Sequence, residues 1–289
     1  MTPARRIRRA VLTVLTCIGL CVMLYPFACN LYFMYQSARL TTSYNETVGA
    51  QSNEELERMW AEAVAWNQAH MVNVIDDPFA DEKRVVAQND AYDQQLNPTN
   101  DGVMGYVDIP RIGQRLAIYH DTDPDGMLKG VIQLQGTSLP VGGEGSHCVL
   151  SGHRGLATAA IFTDLDQMRE GDLINLYVLD HALSYEVDQI LTVKPTEIEA
   201  LDLVPGEDLV TLVTCTPYAV NTHRLLVRGH RVPYVPQTSP VTESLNFLTP
   251  QRLALIAVGV LLGMVLVWLV DRRRRHRRES ERPQGRHAA

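Results

Sequence analysis

Two long apolar stretches frame the chain. Residues 11–35 are almost entirely apolar or aromatic, and residues 253–270 run for 18 positions without a charge. At 1.5 Å per helical residue the second stretch spans roughly 27 Å, which is close to the ~30 Å hydrocarbon core of a bilayer. The pattern therefore predicts two transmembrane helices, over residues 11–35 and 253–270.

Arginines flank both apolar stretches and predict their orientation. Four lie within residues 1–10 and eight within the basic tail, residues 271–289. Because positive flanks stay on the cytoplasmic side, we expect a two-pass protein of the cell membrane with both termini in the cytoplasm and residues 36–252 outside. A cleaved signal peptide is the alternative for residues 11–35, but the stretch is longer than a usual signal core and no A-x-A-like site follows it. We therefore predict an uncleaved anchor.

The spacing of apolar residues changes after the first stretch. The segment Ser52-Asn-Glu-Glu55 is typical of a capping box, and apolar residues follow it at helical spacing as far as Asn67. Residues 71–100 lose this periodicity and are rich in Asp, Asn and Gln, which indicates a long surface loop. We assign residues 36–100 to an N-terminal helix and a loop.

Residues 101–235 consist of short β-like runs separated by Gly, Pro and Asp. The candidate strands are Tyr106–Ile109, Leu116–Tyr119, Cys148–Leu150, Leu173–Val178, Tyr185–Val193, Asp208–Thr214 and Arg224–Val232. Within this region only Ala157–Met168 has a helical pattern. Seven or eight short strands with few helices predict a closed or nearly closed β-barrel. Residues 236–252 form a proline-rich linker to the second membrane segment.

Charge and cysteine content narrow the function further. Residues 36–252 carry 14 basic and 30 acidic side chains, a net charge of −16, which argues against nucleic acid as a partner. Of five cysteines, only Cys148 and Cys215 lie outside the membrane segments, so at most one disulfide can form there. The histidines show no zinc-type ligand spacing, and we expect neither a metal nor a cofactor.

Three residue types suited to acyl transfer follow or begin predicted strands. Cys215 closes an apolar strand, His153 stands between glycines in Ser151-Gly-His-Arg-Gly155, and Arg224 begins the strand after Cys215. A thiolate can attack a peptide carbonyl, an imidazole can protonate the leaving amine, and a fixed cation can stabilise the oxyanion. The competing interpretation is that Cys215 is a buried structural cysteine, which is the commonest role of a free Cys.

The segment from Thr211 to Arg231, TLVTCTPYAVNTHRLLVRGHR, closely resembles the active-site segment of the class C, pilin-polymerising sortases. Three further stretches are similar to the same family: Ile118–His120, Gln135–Gly143, and Ser151–Ala159 running into Phe162–Asp166. The resemblance covers roughly residues 70–235 and extends to a membrane helix on each side of the catalytic domain.

The resemblance implies a mainly β fold, a closed eight-stranded barrel with an N-terminal helix and a lid loop, flanked by two transmembrane helices. It implies that Cys215 is the nucleophile, His153 the general acid and base, and Arg224 the oxyanion-stabilising or substrate-positioning cation. In similar enzymes a lid covers the site, which here implies Asp77 paired with Arg224 and Phe79 over Cys215. An ordinary Asp-Pro turn is the alternative interpretation of the segment from Asp77 to Phe79.

The implied substrates are pilin subunits or surface proteins that end in an LPxTG-like sorting signal. The enzyme would cleave after Thr, hold the acyl group as a Cys215 thioester, and transfer it to a pilin Lys amine. The sequence departs from the family pattern at Ala219, where Gly is more usual, and at Ala157, where Pro is usual. A sortase that anchors proteins to a peptidoglycan amine, a secreted cysteine hydrolase and a non-enzymatic receptor stay open as alternatives.

Overall fold

The computed structural model describes residues 3–70, 79, 89–197 and 199–236. The helices are α1 (Pro3–Ala50), α2 (Asn53–Ala69), α3 (Asp90–Asp93) and α4 (Gly126–Lys129), with 3₁₀ turns at Pro110–Ile112, Leu165–Gln167 and Glu199–Leu201. The strands are β1 (Val103–Ile109), β2 (Gln114–His120), β3 (Val131–Gln133), β4 (Ser146–Ser151), β5 (Leu173–Val178), β6 (His181–Val193), β7 (Asp208–Thr216) and β8 (His223–Val232). The predicted second membrane helix, the basic tail and Asp77 lie outside the described residues.

The eight strands close into a barrel in the order β1-β2-β3-β4-β7-β8-β6-β5, which confirms the predicted eight-stranded architecture. Most neighbours are antiparallel, whereas the pairs β2–β3 and β4–β7 are parallel. Closure pairs the barrel strands on both sides, so no long edge is left to recruit another chain. The parallel pair β4–β7 brings the ends of two strands, with the residues that follow them, to the same rim.

The sheet formed by β4, β7 and β8 is covered on both faces. Alternate residues such as Leu150, Leu212 and Val227 point into the main core, which fills the barrel. Their neighbours Val149, Val213 and Leu226 point outward and form a second apolar cluster with Leu134 and Leu201, to which Phe79 is added. Because side chains alternate along a strand, the side chains that point to the outer face are those of odd-numbered residues in β4 and β7 and of even-numbered residues in β8.

Helix α1 continues well beyond the predicted membrane segment. It runs unbroken to Ala50, and its second half lies along the barrel: the hydroxyl of Ser37 donates to the carbonyl oxygen of Arg115, and that of Tyr44 to Met104 at 2.8 Å. Within the described residues α1 is the one helix apolar and long enough to cross a membrane, with a mean hydropathy of 1.9 in its most apolar window. The exposed apolar half and the half packed on the barrel thus belong to one continuous helix.

The capping box before α2 is confirmed. The Ser52 hydroxyl accepts a hydrogen bond from the backbone N–H of Glu55 at 3.3 Å, as an N-cap does. Farther along the helix Asn67 is buried and bonds Leu139 in both directions, at 3.2 and 2.7 Å. This amide pair fixes the end of α2 against the segment between β3 and β4.

Three local expectations were wrong. Ala157–Met168 forms no α-helix beyond the 3₁₀ turn at Leu165–Gln167, and its helical spacing arises from side chains buried under the barrel rim. The short strand β3 escaped prediction because three residues carry no measurable alternation. The surface loop over residues 71–100 is contradicted at Tyr92 and Leu96, which are both buried.

Candidate active site

Cys215 and Arg224 occupy paired positions on neighbouring strands. β7 and β8 run antiparallel, and their register sets Cys215 directly opposite Arg224. Side chains at such paired positions point to the same face of the sheet, with Cβ atoms roughly 5 Å apart. Alternation from Val213 and Leu226 places both side chains on the outer face. The candidate site therefore lies on the outside of the barrel wall, at the end of β7.

His153 reaches the same place from β4. The parallel register ends with Ser151 beside Val213, and it is prolonged by two bonds: Gly152 donates its N–H to the Val213 carbonyl at 3.1 Å and accepts from the Thr214 hydroxyl at 2.7 Å. His153 lies two residues after Ser151, and Cys215 lies two residues after Val213. The two residues are therefore at the same height along the β4–β7 pair. A Cβ on Gly152 would lie 2.9 Å from Phe162, so a glycine is required for this close approach.

Phe79 packs against two of the three residues. Its ring centroid is 5.8 Å from that of His153 and 5.1 Å from Cζ of Arg224. A guanidinium in this position over an aromatic face contributes about 0.5–2 kcal/mol. Cys215 is 7% exposed and Arg224 6%. Asp77, the other predicted lid residue, lies outside the described residues.

The electrostatics follow from this burial. Loss of solvent around the imidazole lowers the pKa of His153, because burial disfavours the charged ring. The Arg224 guanidinium is held at the end of β8 by hydrogen bonds of 3.1 Å to the carbonyl oxygens of Asn221 and His223. A fixed cation next to the thiol is therefore built into the β7–β8 turn, and the imidazole beside it is shielded from water.

Arg154, which the sequence did not single out, connects the His153 segment to the end of β7. Its side chain is 7% exposed, and its guanidinium donates to the Thr163 carbonyl oxygen and the Thr216 hydroxyl, both at 3.1 Å. It also pairs with Asp166 at 2.5 Å and lies 6.0 Å above the ring of Tyr218. These partners are spread over residues 163–218. No local sequence signal therefore marks Arg154 as the residue that links the segment after β4 to the end of β7.

The backbone of the β7–β8 turn shows why glycine is more usual than alanine at position 219. Ala219 has φ +63° and Asn221 φ +60°, both in the left-handed region. Asparagine tolerates this conformation well, whereas an alanine there costs about 1–2 kcal/mol. The glycine that is more usual at position 219 is thus the residue that the backbone favours.

Of the other barrel histidines, His223 adjoins Arg224 at the start of β8, and the rest lie away from the site, as does Cys148. His120 bonds the carbonyl oxygens of Gln95 and Gly102, and His147 and Cys148 lie near the start of β4. Across the described part of the chain, no group of three His, Cys, Asp or Glu side chains is placed to hold a metal ion. The five cysteines, all within that part, form no disulfide.

Comparison with known proteins agrees with this geometry. A family model described as "Sortase domain" matches residues 107–232. Solved structures of the sortase C type match over most of the chain. One from Streptococcus pneumoniae is 42% identical, covers 69% of this chain and 100% of its own, and has a TM-score of 0.60. Sortase C-1 of Actinomyces oris is 45% identical, covers 62% of this chain and 99% of its own, and has a TM-score of 0.58.

The chain belongs to the sortase family, in class C. Among curated proteins it is also similar to sortase A of Bacillus anthracis, at 27% identity over 45% of this chain and 60% of the relative. Sortase A of Listeria monocytogenes is 25% identical over 52% of this chain and 64% of the relative. The chain thus spans somewhat less than two thirds of the length of these curated relatives.

Proposed function

We propose that this sortase is a cysteine transpeptidase that joins pilin subunits. Cys215 would cleave an LPxTG-like sorting signal after its Thr, and a Lys amine of the next pilin would accept the acyl group. The observation that carries this proposal is the convergence of Cys215, Arg224 and His153 on one covered patch of the outer barrel face. Further support comes from the S. pneumoniae sortase C structure, which gives insight into the pilin substrate specificity of that enzyme.

The proposed reaction has two halves. In the first, the Cys215 thiol gives its proton to the His153 imidazole, its sulfur attacks the Thr carbonyl carbon, and the Arg224 guanidinium stabilises the resulting oxyanion. The C–N bond to the next residue then breaks, and the leaving amine takes a proton from the His153 imidazolium. In the second half, a neutral Lys amine attacks the thioester, gives a proton to His153, and the C–S bond breaks to release the thiolate.

The contacts of Phe79 support a lid that keeps the site closed before the substrate binds. Phe79 packs on the outer apolar cluster and against the ring of His153. A thiol behind such a lid is kept from water and other reagents until a sorting signal binds. In this proposal Phe79, with Asp77 beside it in sequence, acts as a lid that a substrate must displace.

We further propose that α1 anchors the enzyme in the cell membrane. The run from Val14 to Leu24 leaves large apolar side chains more than half exposed, and four arginines precede it. The barrel then lies outside, with the N-terminus in the cytoplasm. A two-pass topology adds residues 253–270 as a second span and places the C-terminus in the cytoplasm as well.

The deciding experiment compares acceptor amines. The full chain, as wild type and as Phe79→Ala, is incubated with an LPxTG-type peptide and either a Lys-containing pilin-motif peptide or a cell-wall peptide amine. Mass spectrometry then measures amide and hydrolysis products. Pilin joining predicts that the Lys amide predominates. A dominant cell-wall amide would favour the anchoring enzyme, and dominant free acid with both amines would favour the hydrolase.

A further inference from the structure

We propose that the pocket between α1 and the barrel binds an acyl chain of a membrane phospholipid. The pocket has a volume of about 740 Å³ and is bounded on one side by α1 residues from Tyr25 to Leu40. Its other walls come from Tyr119 in β2, from Leu128 and Lys129 in α4, and from the segment after His153. The inference rests on the membrane anchoring proposed above and adds a lipid site to it.

The length of α1 sets the level of this pocket relative to the bilayer. The arginine cluster ends at Arg9, and ~20 helical residues are needed to cross the hydrocarbon core. Counting from Ala10, the core ends near Cys29. Directly above this level the Asn30 side chain accepts a hydrogen bond from the backbone N–H of Ala160 at 3.0 Å, which ties α1 to the barrel. The pocket therefore begins inside the hydrocarbon and ends outside it.

The chemistry of the walls favours an apolar occupant. Tyr25, Cys29 and Phe33 face the pocket from successive turns of α1, and Tyr119 and Leu128 face it from the barrel. Leaving such surface in contact with water costs roughly 25 cal/mol for each Å². Phospholipid tails are the abundant apolar groups at the level of Cys29, so a tail is the occupant that this position supplies.

The rim of the pocket suits the lipid headgroup. The Lys129 side chain is 49% exposed, and its ammonium lies 3.5 and 3.8 Å from carboxylates of Asp123 and Asp125. Exposed pairs of this kind are weak and leave the cation able to meet a phosphate as well. Leu128, next to it, is 53% exposed at the pocket wall. The tail of one lipid can thus contact the apolar wall at Leu128 while its phosphate contacts the ammonium group of Lys129.

The lipid would touch the segment that carries His153. Thr158 and Ala159 line the pocket, and three residues farther on Phe162 donates its N–H to the His153 carbonyl oxygen at 3.0 Å. A tail in the pocket therefore packs against one side of this segment, while Asn30 holds its backbone. In the membrane-bound enzyme the bilayer helps to support the catalytic histidine.

The test maps contacts of lipid tails on the full chain. The protein is placed in phosphatidylcholine and phosphatidylglycerol nanodiscs in which some lipids carry a diazirine in mid-chain, and adducts are located by mass spectrometry after irradiation. We expect adducts on residues 126–130 and 156–160 in addition to those on α1. Leu128→Glu should reduce the barrel adducts at least about tenfold, since a carboxylate is expelled from hydrocarbon.

A matched control is Val204→Glu, which makes the same change at an exposed apolar residue in the turn before β7. It should leave the barrel adducts unchanged, and the circular dichroism of both variants should match the wild type. Adducts confined to α1, or equal losses in both variants, would overturn the lipid site. An absence of adducts on α1 as well would instead contradict the proposed membrane anchoring.

Discussion

The parallel pair β4–β7 carries a histidine and a cysteine at each of its two ends, and the two regions differ in what surrounds them. At the beginning of the pair, His147 uses both ring nitrogens, with the Asp202 carbonyl at 2.9 Å and the Thr211 hydroxyl at 2.7 Å. Its neighbour Cys148 points into the main core, where burial raises the pKa of the thiol. At the far end, His153 and Cys215 stand level beside the Arg224 guanidinium.

In the proposed mechanism, position in the sheet, rather than residue type, separates the structural pair from the reactive one. Near the start of β4, the core encloses Cys148, and His147 is buried on the outer face by its bonds to Asp202 and Thr211, so no substrate can reach either side chain. At the strand end the backbone turns away, and among the described residues the aromatic ring of Phe79 packs 5.8 Å from His153. A cover of this kind can be displaced, whereas the packing around Cys148 cannot be removed without unfolding.

The two cysteines give the largest expected difference. We expect Cys215→Ala to reduce thioester and amide formation to the uncatalysed background, because the nucleophile is lost. Cys148→Ala should keep the activity and lower the free energy of unfolding by about 1 kcal/mol through a small cavity. Product formation and thermal unfolding of both variants check this. Retained turnover in Cys215→Ala would remove the distinction between the two regions.

The next effect concerns the cation at the reactive end. Arg224→Ala should lower kcat about 10²–10³-fold, as expected for loss of a group that stabilises an oxyanion. Arg228 lies four residues along the same strand, and its side chain is 24% exposed and pairs with Asp188 at 2.8 Å. Arg228→Ala should therefore change kcat less than about twofold. Similar losses in both variants would mean that Arg224 acts through the stability of β8.

A smaller effect is expected for the tie between the two strands. Arg154→Ala should lower kcat about tenfold with little change in KM, because the His153 segment loses its bonds to Thr216 and Asp166. Arg154→Lys, which keeps the charge but not the planar fork, should recover only part of the loss. Arg169→Ala, at an exposed arginine on the same connection, serves as the control. A fall in stability with unchanged kcat would contradict a positioning role.

Removal of the cover should expose the reactive thiol. We expect Phe79→Ala to speed the modification of Cys215 by a thiol reagent roughly fivefold, since a cation–π contact of about 1 kcal/mol is lost. Asp77→Ala should act in the same direction if Asp77 belongs to the lid. Cys148 in the same sample should stay unmodified. A labelling rate equal to that of the wild type would rule out Phe79 as a lid.

The smallest effect is a pKa shift at one of the two histidines. Burial lowers the pKa of both His147 and His153, because it disfavours the charged ring. Phe79→Ala readmits water to His153, so its pKa should rise while that of His147 stays the same. An NMR titration of the ring protons, assigned with His153→Gln and His147→Gln, checks the sign. A shift at His147 would indicate a general loosening of the barrel.

Much of this arrangement was predictable because it depends on strong local patterns. Long strands such as β7 and β8 alternate clearly, and Cys215 and Arg224 face each other across one turn, so their neighbourhood follows from the hairpin alone. The cap at Ser52 was equally local. His153 was grouped with them by its residue type and its place after a short strand, and the family resemblance then gave it a role; the parallel pairing itself joins residues 62 positions apart without any signature in the sequence.

What escaped prediction depends on distant contacts. Arg154 has partners on two separate segments, and β3 owes its existence to pairing with β2 and β4 rather than to its own residues. The helical spacing of Ala157–Met168 was misleading because Ile161, Phe162 and Leu165 are buried by a loop that folds back on the barrel. The end of α1 was also missed, since the apolar pattern stops before the helix does.

The central claim is that Cys215 forms the acyl bond, and its most direct test is the mass of that residue during turnover. The full chain carrying Phe79→Ala is mixed with an LPxTG-type peptide without any amine acceptor, quenched in acid, digested and analysed by mass spectrometry. The account predicts a thioester on Cys215 that reports cleavage after Thr, absent in Cys215→Ala and absent from Cys148. Acylation of another residue, or hydrolysis without any adduct on Cys215, would contradict it.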